Sequence, residues 1–107
     1  MFVRVVEITA KTGKTNELVR IASSQVLTIL RDQPGFVDEV ILQSPDDAHK
    51  VLALSFWKSR KDADNYNRDA FPRVNQLINN LTEQPPTVRP FEVTSSTAHN
   101  IVAGKAA

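Results

Sequence analysis

Three runs of apolar residues along this chain predict strands. The first run, Phe2 to Ile8, is rich in β-branched residues and is broken only by Arg4 and Glu7. A second strand is predicted for Phe36 to Gln43 and a third for Lys50 to Trp57. Because the third run has a single polar residue between its ends, both faces of that strand are apolar, and both must be covered.

The segments that follow the first and third runs show the three- and four-residue spacing of helices. Thr15 can cap a helix that runs to about Arg31 and carries one apolar stripe. The stripe consists of Leu18, Ile21, Ala22, Val26, Ile29 and Leu30. Ser59 and Asp62 resemble a capping box at the start of a short helix that ends at about Tyr66.

The last third of the chain predicts one more helix and one more strand. Pro72, a residue favoured in the first helical turn, leads a segment from Phe71 to Leu81 with regular apolar spacing. Val88 to Ser95 alternates as a strand, and Pro90 places that strand at a sheet edge. The order βαββαβ predicts an α+β, ferredoxin-like fold, with helices on one face of a four-stranded antiparallel sheet.

Composition and charge narrow the class of protein. The 107 residues suffice for one domain, which we expect at residues 1–96, with a tail at 97–107 that is either disordered or an arm laid on a partner. A net charge of +1 favours neither nucleic acid nor a membrane surface as a partner. With no Cys and two His, we expect no metal site. The absence of a leader pattern or a long apolar run favours a cytoplasmic protein.

The sheet face turned away from the helices is also predicted to be apolar. Strands of about seven residues are about 23 Å long, so four of them expose more apolar surface than a monomer normally tolerates. We therefore expect a homodimer that forms through the open sheet faces.

The central stretch resembles a known family. Pro34-Gly35-Phe36 opens a strand, a polar turn follows, and LSFWKSRKDADNY closes the next strand and opens a helix. This pattern resembles the antibiotic biosynthesis monooxygenase (ABM) domain, and the resemblance extends loosely over residues 2–95. It implies a ferredoxin-like domain that pairs into a dimeric α+β barrel. It also implies oxidation of a small hydroxylated aromatic molecule or a dihydroquinone by O₂ without a metal or flavin cofactor.

Three residues are candidates for the site that the resemblance implies. Trp57 would form a cavity wall, Tyr66 would donate a hydrogen bond to a substrate oxygen, and Asn75 would hold an oxyanion. Packing alone also explains Trp57 and Tyr66, whereas Asn75 interrupts an otherwise apolar helix. The sequence indicates no general base, because His49 lies in the hairpin turn and His99 in the tail.

Other functions on the same scaffold stay open. Haem-degrading relatives use a His on the last helix as iron ligand and an Asn in the first strand. The matching positions here are Asn75 and a position near Val6 or Glu7, so haem degradation is disfavoured. A non-catalytic dimeric barrel that binds a small aromatic ligand is an alternative, and so is an isomerase or decarboxylase, since a fold does not fix a reaction.

Overall fold

The computed structural model describes residues 1–104 as a four-stranded antiparallel sheet with helices on one face. The strands are β1 (Phe2–Thr9), β2 (Phe36–Gln43), β3 (Lys50–Trp57) and β4 (Thr87–Glu92), in the spatial order β2-β3-β1-β4. The helices are α1 (Thr15–Ile21), α2 (Leu27–Arg31), α3 (Arg60–Asp69) and α4 (Phe71–Ile78). This is the α+β, ferredoxin-like fold that the sequence predicted, and the predicted bounds of β2 and β3 are confirmed.

The first helical segment is not a uniform α-helix. A five-residue π-helix, Ala22–Val26, joins α1 to α2 without a break, where the sequence predicted one continuous α-helix. Ser24 Oγ donates to the carbonyl of Arg20 at 2.6 Å, and Thr28 Oγ1 donates to the carbonyl of Ser24 at 3.0 Å. Such bonds use carbonyls of the helix ladder, and short π-segments are frequent at functional sites.

Of the two predicted helix caps, Ser59 is confirmed and Thr15 is wrong. Thr15 does not cap α1, because the N-cap is Lys14 and Thr15 Oγ1 donates instead to a backbone carbonyl of the β2–β3 loop at 2.6 Å. Ser59 caps α3 as predicted, since its Oγ accepts from the Asp62 amide at 3.2 Å. α3 is longer than predicted and continues to Asp69, because no helix-breaking residue precedes the proline of α4.

The turn before β2 requires a glycine. Gly35 has a φ of 80°, which lies in the left-handed region that residues with a β-carbon disfavour. A β-carbon at this position would lie 2.6 Å from the β-carbon of Asp62 and overlap the rest of that side chain. The turn therefore packs directly against the first turn of α3.

The chain ends in an edge strand and a tail that folds back. β4 pairs with β1 only, and it ends at Glu92 rather than at the predicted Ser95. Beyond it, Ser96 and Ile101 exchange two backbone hydrogen bonds of 2.8 Å. Residues 97–100 therefore form a turn closed by this pair, and the last three residues of the predicted tail lie outside the described residues.

His99 fixes the tail turn to the outer face of the sheet. Its ring lies 5.1 Å from the ring of Phe56 on β3, and its Nε2 lies 3.4 Å from an oxygen of Asp38 on β2. The sequence suggested disorder or an arm on a partner, whereas the described part of the tail packs on its own sheet.

The core lies between the sheet and the helices and is apolar at one end of the strands and partly polar at the other. Val6 faces Ala53 across the β1–β3 ladder, and this end is apolar. Further along the same face, Arg4 is opposite Ser55, and both are buried. Two polar side chains therefore interrupt the core. Within residues 1–104, no helix is long and apolar enough to cross a membrane.

Candidate functional site

A small cavity lies where polar side chains interrupt the core. Its volume is about 40 Å³, which is room for two or three water molecules and well below the roughly 300 Å³ of a small-molecule pocket. The wall is largely apolar and comes from the inner sheet face and the helices; its polar members are Arg4, Glu39, Ser55 and Tyr66. An aromatic ligand therefore requires the wall to open.

Arg4 is a buried cation on β1. Its side chain is 4% exposed, and the guanidinium carbon lies 4.5 Å from the ring centre of Phe71 and 4.9 Å from that of Tyr66. Its Nη2 donates to Asn67 Oδ1 at 2.8 Å. Burial lowers the pKa of the Arg4 guanidinium, although Tyr66 opposes this shift.

The charge of Arg4 has no anionic partner in the described part of the chain. None of the ion pairs among residues 1–104, at a limit of 4.0 Å, includes Arg4. Removing a cation from water without pairing it costs several kcal/mol, because the interior replaces little of the lost hydration. The aromatic rings beside Arg4 and the charge of Asp64, which lies beyond 4.0 Å, offset part of this cost, so an anionic group in the cavity would gain from the Arg4 charge.

Tyr66 on α3 supplies a neutral phenol beside this cation. Its ring is stacked on that of Trp57 at 4.9 Å and lies 6.1 Å from that of Phe71. Burial raises the pKa of Tyr66 to about 12, while the Arg4 cation acts in the opposite direction. The hydroxyl group therefore keeps its proton at neutral pH and can donate a hydrogen bond.

Glu39 on β2 brings a carboxyl group to the same cavity. It is opposite Ser55 in the β2–β3 ladder, so its side chain is on the helix-facing side of the sheet. Burial raises the pKa of Glu39 to about 7; the adjacent Asp38 adds to the shift, and Arg31 opposes it. A carboxyl group that titrates near neutral pH can both accept and return a proton there.

The structure brings together two of the three residues that the sequence analysis selected. Trp57 does not form the predicted cavity wall, because it is fully buried behind Tyr66, and its Nε1 donates to Ser55 Oγ at 2.9 Å. Asn75 does not line the cavity, although the neighbouring Val74 does. Asn75 borders a depression at the end of α4, and its Oδ1 is buried without a hydrogen-bond partner in the described chain.

Arg4 and Glu39 were not among the predicted site residues, although the sequence contains a signal for each. Arg4 lies two residues from both Phe2 and Val6, so it shares their inward face of β1. Glu39 follows Asp38 in a strand that is otherwise mostly apolar, so one of two adjacent acidic residues must face inward. An inward charge in a buried strand is the feature that indicates a site.

The described residues offer no evident metal site. Within residues 1–104, no group of three or more His, Cys, Asp and Glu side chains could hold a metal ion. Neither His lines the cavity, and His49 Nδ1 lies 3.2 Å from the carbonyl of Ala10 instead. The cavity itself offers a cation, a phenol and a carboxyl group among apolar side chains, which can stabilise an anion and move a proton.

Comparison with known proteins finds a family model and solved structures that are similar to this chain. The family model described as antibiotic biosynthesis monooxygenase matches residues 1–70, which include Arg4, Glu39, Trp57 and Tyr66. No curated protein sequence matches the chain.

Two solved structures illustrate the likeness of fold. A monooxygenase from the gene ActVA-Orf6 of Streptomyces coelicolor, in complex with the ligand nanaomycin D, is 24% identical with a TM-score of 0.70, over 89% of this chain and 88% of that one. SnoaB, a cofactor-independent oxygenase from Streptomyces nogalater, is 15% identical with a TM-score of 0.74, over 90% of this chain and 95% of that one. At these identities the likeness establishes the shared fold.

Proposed function

The chain belongs to the antibiotic biosynthesis monooxygenase family, and from this premise we propose that it is a cofactor-independent monooxygenase. Its substrate is a small hydroxylated aromatic molecule or a dihydroquinone, which O₂ oxidises directly. The observation that carries the proposal is the buried, unpaired Arg4 beside the Tyr66 hydroxyl in an apolar cavity. Two solved proteins of the same fold, a monooxygenase and a cofactor-independent oxygenase, support the same reaction class.

The reaction needs a substrate anion, because only an electron-rich anion transfers electrons to O₂ without a cofactor. For a methylene group activated by the ring, the balance is R₂CH₂ + O₂ → R₂C=O + H₂O. Arg4 and the Tyr66 hydroxyl would bind the anionic oxygen of the substrate, where fixed donors act strongly in a water-poor site. Trp57 would hold the Tyr66 ring in place through the stacked contact.

We assign the oxyanion to Arg4 rather than to Asn75. Asn75 lies outside the cavity wall, whereas Arg4 lies inside it and carries a full charge. A charged donor binds an oxyanion more strongly than a neutral amide does.

Oxygen consumption with a panel of naphthols, anthrones and dihydroquinones tests the proposal. We expect at least one compound to react above the protein-free blank, and Arg4→Met to slow that reaction by about 100-fold or more. The matched control is Arg73→Met, because Arg73 is an exposed arginine on α4 outside the cavity wall. Binding of panel compounds without any reaction would instead establish the non-catalytic binding function.

We also propose that two copies pair through the outer sheet faces. Phe91 is 51% exposed and Leu42 is 45% exposed, and both are on or beside that apolar face. Light scattering at micromolar concentration should give about twice the chain mass. Phe91→Asp should shift the mass toward that of one chain, because a buried charge opposes association. Gln76→Asp, at an exposed position of α4 on the helix side of the sheet, is the control, and a monomeric wild type would refute the pairing.

A further inference from the structure

We propose that Glu39 is the proton acceptor of this site: it removes the acidic proton of the substrate and later returns it to the reduced oxygen. The inference rests on the proposed function and adds to it the catalytic base that the family membership leaves unassigned.

The placement of Glu39 carries the inference. Among the described residues that line the cavity, Glu39 is the only carboxylate. It reaches the wall from β2, on the helix-facing side fixed by its register with Ser55. No ion pair within 4.0 Å involves Glu39 in the described chain. A carboxylate that is not engaged by a fixed cation remains available to accept a proton.

The other titratable groups around the cavity are poorly suited to this role. Tyr66 on α3 holds its proton, because burial raises its pKa to about 12. Arg4 on β1 is a cation and has no acceptor. Asp38 is on the outer side of the sheet beside His99, and Arg31 at the end of α2 acts on Glu39 only by its charge. Asp38 and Glu39 thus lie on opposite faces of the sheet.

The proton and the electrons balance as follows. The Glu39 carboxylate takes the substrate proton, and the electron pair of the broken bond stays on the substrate as an anion held by Arg4. The anion transfers electrons to O₂, and a carbon–oxygen bond forms to give a peroxide anion. Glu39 returns its proton to that anion, and the hydroperoxide loses water to leave a carbonyl group. Glu39 ends as a carboxylate, so it is a true catalyst and needs no further oxidant.

The first test needs no oxidation and is done without O₂. A naphthol is bound at a pH one unit above the Glu39 pKa of about 7, in weak buffer with an indicator dye. In the wild type we expect the absorbance of naphtholate with almost no proton released, because the bound naphtholate anion raises the pKa of Glu39 further and Glu39 keeps the proton. In Glu39→Gln, we expect either neutral bound naphthol or release of about one proton. Equal spectra and equal proton release in both proteins would overturn the inference.

The second test follows kcat/KM against pH on a reactive substrate. The wild-type value should rise through about pH 7, and Glu39→Gln should lose this rise and fall by roughly 100- to 10,000-fold, the usual range for a lost general base. Asp38→Asn should move the midpoint to lower pH, since Asp38 raises the Glu39 pKa. Glu92→Gln, an exposed carboxylate on β4, is the matched control and should keep the wild-type profile.

The two tests separate the two proposals. Proton retention by the wild type without turnover of any substrate would refute the monooxygenase and leave Glu39 as the acceptor. Turnover that is unchanged in Glu39→Gln would leave the monooxygenase and remove Glu39 as its base.

Discussion

Replacing Arg4 by methionine should stabilise the protein while slowing its reaction. Methionine matches the unbranched aliphatic stem of arginine, fits irregular apolar space and needs no hydrogen bond. The partner Asn67 is exposed and can bond to water instead, so the lost polar contact inside the core is the one between Arg4 and the Tyr66 hydroxyl. The cavity becomes wholly apolar at this position.

The expected size of the effect follows from the contacts of Arg4. The bond to Asn67 contributes about 1–2 kcal/mol, and each ring contact contributes about 1 kcal/mol. Against these stands the burial of an unpaired charge, which costs several kcal/mol. We therefore expect the free energy of unfolding of Arg4→Met to exceed that of the wild type by about 1–3 kcal/mol.

Urea unfolding followed by tryptophan fluorescence measures this difference, because the sole Trp stacks on Tyr66 beside the substitution. Both proteins must be compared at one concentration, since pairing of chains adds to the apparent stability. Arg73→Met should change the free energy of unfolding by less than about 0.5 kcal/mol, as surface substitutions do. If the free energy of unfolding of Arg4→Met fell by more than about 2 kcal/mol, Arg4 would be a stabilising core residue. Its buried charge would then need no ligand to explain it.

Three further substitutions test separate parts of the structure. Tyr66→Phe should slow turnover by roughly 10- to 1000-fold in steady-state kinetics, because it removes a donor to the oxyanion but keeps the ring stacked on Trp57; an unchanged rate would remove that donor role. In urea unfolding, Glu39→Gln should become more stable relative to the wild type as pH rises from 4.5 to about 7. The raised pKa of Glu39 means that the native wild type binds a proton more tightly than the unfolded chain, and the wild type loses this stabilisation as pH rises. A constant difference across this range would contradict the raised pKa. Gly35→Ala should cost about 1–3 kcal/mol in thermal unfolding, from the left-handed backbone and the steric overlap, and more than Gly13→Ala, where φ is 77° but no atom lies within 4 Å; equal losses would mean that the overlap does not matter.

The strand pattern was the most reliable part of the sequence analysis. Apolar runs bounded by a turn or a proline gave the bounds of β2 and β3 correctly, because both strands end where polar turn residues begin. Helix type was less accessible. The spacing of apolar residues is nearly the same for an α-helix with and without a short π-segment. The hydrogen bonds from the Ser24 and Thr28 hydroxyls to backbone carbonyls do not alter that spacing.

The site was less predictable than the fold, since it depends on which strand positions face inward. Trp57 and Tyr66 were selected through a family resemblance, and the structure places their rings in contact. Asn75 was selected for its position beside Val74, but one residue along an α-helix is a rotation of about 100°, which takes its side chain away from the cavity. Arg4 and Glu39 were missed because charged residues in strands usually face solvent.

The π-helix between α1 and α2 lets this segment hold one residue more than an uninterrupted α-helix could keep in phase with the cavity. Leu18, Ala22, Val26 and Leu30 all line the cavity, at steps of four residues. On an α-helix each such step overshoots a turn by about 40°, so three steps would carry Leu30 about 120° around the axis from Leu18. The wider π turn takes up this drift and keeps all four side chains in phase. A substitution at the exposed Ser23 should therefore be harmless, and deletion of that one residue should turn the π-segment into α-helix while keeping the cavity wall, because the lining side chains would then recur at steps of four, three and four.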